Sequence, residues 1–526
     1  MKIKSVKHHG PSGCPGNHSN DMVIGSRAWC VEAAWGQQEG PAYARELVDL
    51  LHWGMERGIN GVDMLHGERG GYADPGGIVL EEEAIRLRVP FTLGGHVRHG
   101  FPPWAPESMF ERRPDLFRMD AGGKRTPTGN FCTANQEALG RAVGELTKLL
   151  DRHPRARLIQ AFPDDVLGGS WCHCPRCRGR SPADQYATLI SAAAGALDAR
   201  MPGMEMGFLL YHDTLAGLPD KPVGADGSRF VPPNVYALYA PRERCYAHAI
   251  DDDTCPRNRF YWQSALRARE AFEGRVDVFE YYGDTVLWRG FNVAIPHVIA
   301  ADLRAYQRLG VREVQALVFG TCSLWAHGLN LAVFACLSSG LESDTDAAIA
   351  RHARERFGRK IERRMVEYYL ALEKAQSLYL GFCHYEDEWM HDLRSFFAPS
   401  RGYAEHRQRA ARCAEPFREL AEMLSQASDH CEGGPFLANL KAEQASLEIA
   451  RIELEKLELR LAIADERIVT EGTDVWTEED TARQSAAQRR QWEIAKTVPV
   501  EIRGRIFVGL APSEQHRENQ AGNCPN

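Results

Sequence analysis

From about residue 25 to residue 340, short apolar runs alternate with longer stretches of helical spacing. The runs are Ala28–Ala34, Gly61–Leu65, Phe91–Gly95, Leu158–Phe162, Met206–Tyr211, Val235–Tyr239, Val276–Phe279 and Val314–Phe319. Each is bounded by Gly, Pro, Asp or Asn, as buried parallel strands are. Between them, Tyr43–Arg57, Gln136–His153, Pro182–Arg200, Phe260–Ala271 and Val298–Leu309 carry apolar residues at three- and four-residue steps, which predicts helices facing a core. Ser181 before Pro182 is a helix start, with the hydroxyl as cap and the proline in the first turn. Eight strands alternating with helices predict an α/β fold, a (β/α)8 TIM-type barrel. A doubly wound sheet is the alternative.

After residue 340 the pattern becomes helical throughout. Asp344–Leu380, Tyr403–Ser425 and Pro435–Glu466 are rich in Ala, Leu, Glu and Arg. In the last of these, Leu447, Ala450, Leu454, Leu457 and Leu461 form one apolar stripe. The stripe predicts a bundle packed on the barrel, with a partner-binding coiled coil and self-association through these helices as the alternative. Val498–Leu510 looks strand-like. The expected division is an N-terminal extension (1–24), a barrel (25–340), a C-terminal helical bundle (341–497), and a strand-like segment with a polar tail (498–526).

Composition narrows the class. The 526 residues are 44% hydrophobic and 25% charged, an ordinary globular balance that excludes wholesale disorder. A net charge of −8 argues against nucleic acid as a partner, because phosphate backbones need a basic face. The first residues lack the apolar core of a signal peptide, and no run of about 18 apolar residues predicts a membrane span. A cytoplasmic location is therefore expected, and the 14 cysteines read as free thiols or metal ligands before disulfides.

In a barrel the chemistry gathers at the C-terminal ends of the strands. The third run ends at His96, and the fourth leads to Asp164 and Asp165. The fifth leads to Tyr211, His212 and Asp213, the seventh to Glu280, Tyr281, Tyr282 and Asp284, and the eighth to Trp325 and His327. Carboxylates flanked by aromatic rings are what glycoside hydrolysis asks for. Two adjacent aspartates repel, so one is expected to keep its proton to higher pH and to serve as an acid. Glu280 is expected across the mouth from them. His96, Tyr211, His212, Tyr281 and Trp325 are candidate sugar contacts, with simple packing as the plainer reading. No phosphate-binding glycine loop, GxSxG elbow or HExxH helix is present.

Cys172, Cys174 and Cys177 lie within six residues, and Cys132 is the candidate fourth member, with His173 as another. A structural zinc, a set of reduced thiols and a disulfide all fit this spacing. His8, His9, Cys14 and His18 have metal-capable side chains but no regular spacing, and read as a terminal flap. Cys245 and Cys255 flank an acidic loop taken as a rim of the pocket.

The stretches RRPDLFRMDAGGKRTPTGNFCTANQEAL, FPDDVLGGSWCHCPRC, CPRNRFYW and VFEYYGD, in that order, resemble a bacterial family first described as a domain of unknown function. That family includes glycoside hydrolase family 163, endo-β-N-acetylglucosaminidases of complex N-glycans. The resemblance covers about residues 105–320. It implies a β-hexosaminidase-type barrel, no cofactor for catalysis, and a carbohydrate substrate whose own 2-acetamido group acts as nucleophile. It also implies that Asp165 is the acid and Asp164 the residue orienting the acetamido group, although Asn is commoner in the family at that position. Three activities are weighed. The first is a retaining N-acetylhexosaminide hydrolase using the aspartate pair. The second is a barrel glycosidase with Asp165 as acid and Glu280 as nucleophile. The third is a glycan-binding protein without turnover. A hydrolase using a metal at the cysteine loop is a further rival.

Overall fold

The computed structural model describes residues 23–32, 40–65, 75–96, 109–165, 170–223, 228–285, 287–288, 292–380, 403–463 and 477–504. His8, His9, Cys14 and His18 lie outside them.

Eight parallel strands, β1 (Ser26–Glu32), β2 (Gly61–Leu65), β3 (Phe91–His96), β4 (Leu158–Phe162), β5 (Met206–Leu210), β6 (Val235–Tyr239), β7 (Val276–Glu280) and β8 (Glu313–Val318), form one sheet. Its order is β4-β3-β2-β1-β8-β7-β6-β5. The first strand pairs with both β2 and β8, so the sheet curls into a (β/α)8 barrel. Among the described residues no ladder joins β4 to β5. Tyr186 stitches that seam instead: its hydroxyl donates to Ala161 O on β4 (2.7 Å) and accepts from Leu209 N on β5 (3.3 Å).

The helices α1 (Gly40–Met55), α2 (Pro75–Leu87), α3 (Gln136–Arg152), α4 (Pro182–Arg200), α5 (Pro256–Ala271) and α6 (Pro296–Leu309) surround the sheet. The predicted start of α4 is present as a reciprocal cap between Ser181 and Asp184. Inside the barrel, the N-terminal ends of the strands carry charge. Arg157 pairs with Glu313 (2.7 Å), Arg312 pairs with Asp277 (3.0 Å), and Gln160 bonds Tyr236 (3.3 Å). Burial pushes Asp63 up to about 7, with Glu313 adding to the effect.

Beyond β8 runs α7 (Thr321–Ser338), apolar on all sides and buried on all sides. By length and composition it is the one helix among the described residues that could cross a membrane; here it is a core helix. Then come α8 (Thr345–Phe357), α9 (Glu362–Leu380), α10 (Tyr403–Ser428), α11 (Pro435–Ile463), α12 (Glu478–Thr497) and α13 (Val500–Arg503). The single helix expected over Asp344–Leu380 is broken after Phe357, where Gly358 takes a positive φ of 84°. The strand expected at Val498–Leu510 is not formed in its described part, which is the short helix α13; residues 505–510 lie outside. Leu447, Ala450, Leu454 and Leu457 are buried in the chain's own core, so this stripe is not a seam for a partner helix. Glu443 on α11 ties the bundle to the barrel, accepting from Asn292 (2.8 Å), Tyr368 (3.3 Å) and Tyr369 (3.4 Å).

His327 marks a kink inside α7, and burial pushes its imidazole down to about 3. The unfolded chain takes up this proton below about pH 6.5 and the folded chain does not. Stability from this group is therefore present above pH 6.5 and lost as pH falls. Relative to wild type, His327→Gln should gain about 1.4 kcal/mol per pH unit on acidification below about pH 6.5. Urea unfolding of the two proteins from pH 7 to pH 5 reads this directly, and parallel curves would contradict it.

Candidate active site

The C-terminal ends of β3 to β7 bring a polar group of side chains together. Asp165 follows β4, and its carboxylate is half-exposed. His212, just beyond β5, places Nε2 3.9 Å from it, while His212 Nδ1 lies 3.4 Å from Glu243 Oε2. One imidazole thus stands between two carboxylates. Tyr211 packs its ring on that of His212 with centroids 3.5 Å apart. His212 has φ 48°, a left-handed conformation uncommon for a residue with a side chain. It turns the chain sharply after the strand, and Thr214 Oγ1 locks the turn by donating to Leu209 O (2.8 Å) and accepting from Tyr211 N (2.9 Å).

Burial favours the neutral form of Asp165, but the neighbouring His96, Arg242 and His212 outweigh burial and hold the carboxyl below its usual range. Arg242 is itself buried and held by Asp284 Oδ2 at 3.0 Å, with its guanidinium 5.6 Å from the centre of the Tyr281 ring. His96 Nδ1 bonds Pro163 O, and its ring meets Phe162 edge-on at 5.7 Å.

Asp164 is built into the loop wall. Its N–H donates to Asn130 Oδ1 (2.8 Å), and its Oδ2 accepts from Ser170 Oγ (3.0 Å). Trp171, the next residue along, donates from Nε1 to Asp213 Oδ2 (3.0 Å), which joins the loop after β4 to the turn after β5.

Two predicted members do not face this group. Phe279 and Tyr281 stack on one face of β7, with centroids 4.8 Å apart. Glu280 lies between them and so points to the opposite face, because successive strand side chains alternate. There it is fully buried, bonded by Tyr306 Oη of α6 and 3.4 Å from Arg244 Nε. Burial raises its pKa. The expected placement of Glu280 across the mouth is corrected to the helix layer. Trp325 lies on α7, where its indole donates to Ala442 O (3.0 Å) amid Ile449, Ala495 and Val498. It joins barrel to bundle and is not a sugar platform at the mouth.

The structure adds Glu243, which the sequence reading missed. It accepts from Tyr261 Oη (3.3 Å), and Arg242 lies 3.8 Å away. It stands just past β6, as Asp165 stands just past β4. A cavity of about 370 Å³ lined by Tyr246, Ile295 and His297 lies in the helix layer, apart from this group.

The four cysteines converge. Cys132, Cys172, Cys174 and Cys177 are all buried and unbridged, and their sulfurs lie within 4.8 Å of one another. Cys245, His248 and Cys255 form a second trio, with Cys245 Sγ 3.3 Å from His248 Nδ1.

Fold and site together define a (β/α)8 barrel with a charged, histidine-rich mouth. Residues 84–317 match the family described as Domain of unknown function (DUF4838), a stretch that includes every mouth residue named above. No curated protein matches the chain. Among solved structures, the chain is similar to "Structure of CpGH84D" at 10% identity and a TM-score of 0.41, covering 91% of this chain and 70% of that one. It is also similar to the tandem GH20 catalytic modules in the pneumococcal exo-β-D-N-acetylglucosaminidase StrH. That match has 10% identity and a TM-score of 0.37, covering 68% of this chain and 99% of that one. The barrel itself rests on the strand pairing and not on these scores.

Proposed function

We propose that the protein is a glycoside hydrolase that cleaves an N-acetylhexosaminide or related glycan with retention, using the substrate's own acetamido group. The observation that carries this reading is Asp165, a half-exposed carboxylate at the barrel mouth kept ionised by His96, Arg242 and His212. A fixed negative charge is suited to steadying the positive charge that builds on the sugar and its acetamido group. The acetamido part of the reading rests on the motif resemblance over residues 105–320.

The roles then differ from those the resemblance implies. Asp165 polarises the acetamido group, whose oxygen attacks the anomeric carbon. Glu243, across His212 from Asp165, is the group placed to pass a proton to the leaving oxygen and to take one from the water that opens the intermediate. His212 holds the two carboxylates in relation to each other. Asp164 positions the loop. No cofactor enters the chemistry, and the partner is carbohydrate.

The test is hydrolysis of fluorogenic α- and β-glycosides and a free complex N-glycan by wild type and Glu243→Gln. Release of an N-acetylhexosaminide by wild type is expected. The variant should retain activity best on substrates whose leaving group needs no proton. Equal loss on all leaving groups would remove the acid role from Glu243. Release of other sugars only would discard the acetamido mechanism.

A further inference from the structure

We propose that Cys132, Cys172, Cys174 and Cys177 hold a structural zinc ion, and that this ion fixes the loop bearing Asp164 and Asp165. The second half rests on the hydrolase reading above; the first does not.

Four thiolates around zinc at about 2.3 Å place their sulfurs about 3.8 Å apart at the corners of a tetrahedron. Cys132 Sγ lies 3.7 Å from Cys174 Sγ and 3.9 Å from Cys177 Sγ. These separations match a tetrahedral edge and are far too long for a disulfide bond. All four residues are buried, and the set has no vacant corner for a substrate, which marks a structural and not a catalytic site. Binding releases the thiol protons and leaves net negative charge on the sulfurs. The surroundings supply donors to meet it. Met119 N–H lies 3.4 Å and Arg125 Nη1 4.0 Å from Cys172 Sγ. The turn Cys174–Cys177 is closed by the N–H groups of Cys177 and Arg178, both bonded to Cys174 O at 2.8 Å. Gln185 of α4 clamps the Cys172 peptide on both sides, accepting from its N–H (3.1 Å) and donating to its C=O (3.2 Å).

The knot reaches the mouth through two short chain segments. Asn130 stands two residues before Cys132, and Ser170 two before Cys172. Asn130 N–H donates to Ser170 O (2.9 Å), Asn130 Oδ1 accepts from Asp164 N, and Ser170 Oγ donates to Asp164 Oδ2. Asn130 and Ser170, which bond Asp164, are therefore each two residues from one of the four cysteines. Gly129, φ 86°, allows this approach: a Cβ there would meet Arg118 Nε at 2.5 Å and Ser170 O at 3.1 Å.

Protein purified without added metal should carry one zinc per chain by elemental mass spectrometry. A mercurial titration should release that zinc as four thiols react. Cys174→Ser and Cys177→Ser should each lose most of the zinc. If these variants do not fold, the wild-type titration alone decides the metal. Absence of zinc, or disulfides among these cysteines in a non-reduced peptide map, would overturn the site. Zinc removal should raise hydrogen exchange over residues 126–134 and 170–180 and lower kcat with KM largely kept, and zinc should restore both. Exchange unchanged after removal would overturn the positioning role. A zinc-loaded protein inactive on every glycan would sink the hydrolase reading and leave the metal standing.

Discussion

If the proposed hydrolase reading holds, Asn in place of Asp165 should lower turnover of an N-acetylhexosaminide by about 10²–10⁴-fold, the range set by losing one charged or proton-transferring group at a reacting centre. The substitution is nearly isosteric, and the side chain is half-exposed, so the fold remains. What disappears is the negative charge facing His96, His212 and Arg242. Three cationic or protonatable groups then lack their common counter-charge, and the sugar's developing positive charge meets them unshielded. Substrate affinity changes less than kcat, because the neutral ground state does not call on that charge. Circular dichroism alongside steady-state kinetics separates the two effects. Wild-type turnover in the variant would remove Asp165 from the chemistry.

The largest expected loss of stability lies at Arg244, outside the mouth. Its guanidinium is fully buried, bonded to Asp302, within 3.4 Å of Glu280 and 4.1 Å from the centre of the Tyr246 ring. Asp302 also accepts from Tyr282 Oη (3.1 Å) and from Ile250 N (2.7 Å). Arg244→Met leaves two buried carboxyl groups without their cation. Removing one partner of a buried pair costs roughly 3–5 kcal/mol. Because Asp302 is pushed up to about 7, chiefly by burial, its orphaned carboxyl protonates readily in the variant. The deficit should therefore shrink as pH falls through that range. Urea unfolding at pH 8 and pH 5.5 measures both the loss and its pH dependence. A stability close to wild type at pH 8 would show the network to be replaceable. Turnover per folded molecule should be retained, in contrast to Asp165→Asn.

The strands were legible because each is buried on both faces and cut off by turn residues, so its apolar run has clear ends. Helices with one apolar face were legible for the same reason. Helix α7 was not, since an all-round apolar stretch has no contrast at the helical period, and the eighth run was followed past its strand into it. Trp325 was misplaced by the same continuity. Glu280 was misplaced for want of parity: Phe279 and Tyr281 share a face, and alternation alone assigns Glu280 to the other. Glu243 was hidden among Arg242 and Arg244, in a run that reads as solvated charge, although its position past β6 repeats that of Asp165 past β4. Convergence of Cys132 with the three later cysteines was foreseeable from the adjacency of their loops. The lowered pKa of Asp165 was not, because it depends on side chains delivered by three other loops.

Among the described residues the joint between β4 and β5 is closed by side chains and not by a backbone ladder. Asp165 is carried on one side of it and His212 on the other, and Tyr186 is the pin that bridges the joint deeper in the barrel. Elsewhere in the ring, widening the rim means breaking a ladder of backbone bonds. At this joint the links among the described residues are side chains alone, the Tyr186 phenol within the barrel and the Trp171–Asp213 bond at the rim, so the spacing of Asp165 and His212 is set by the reach of side chains and not by a backbone register.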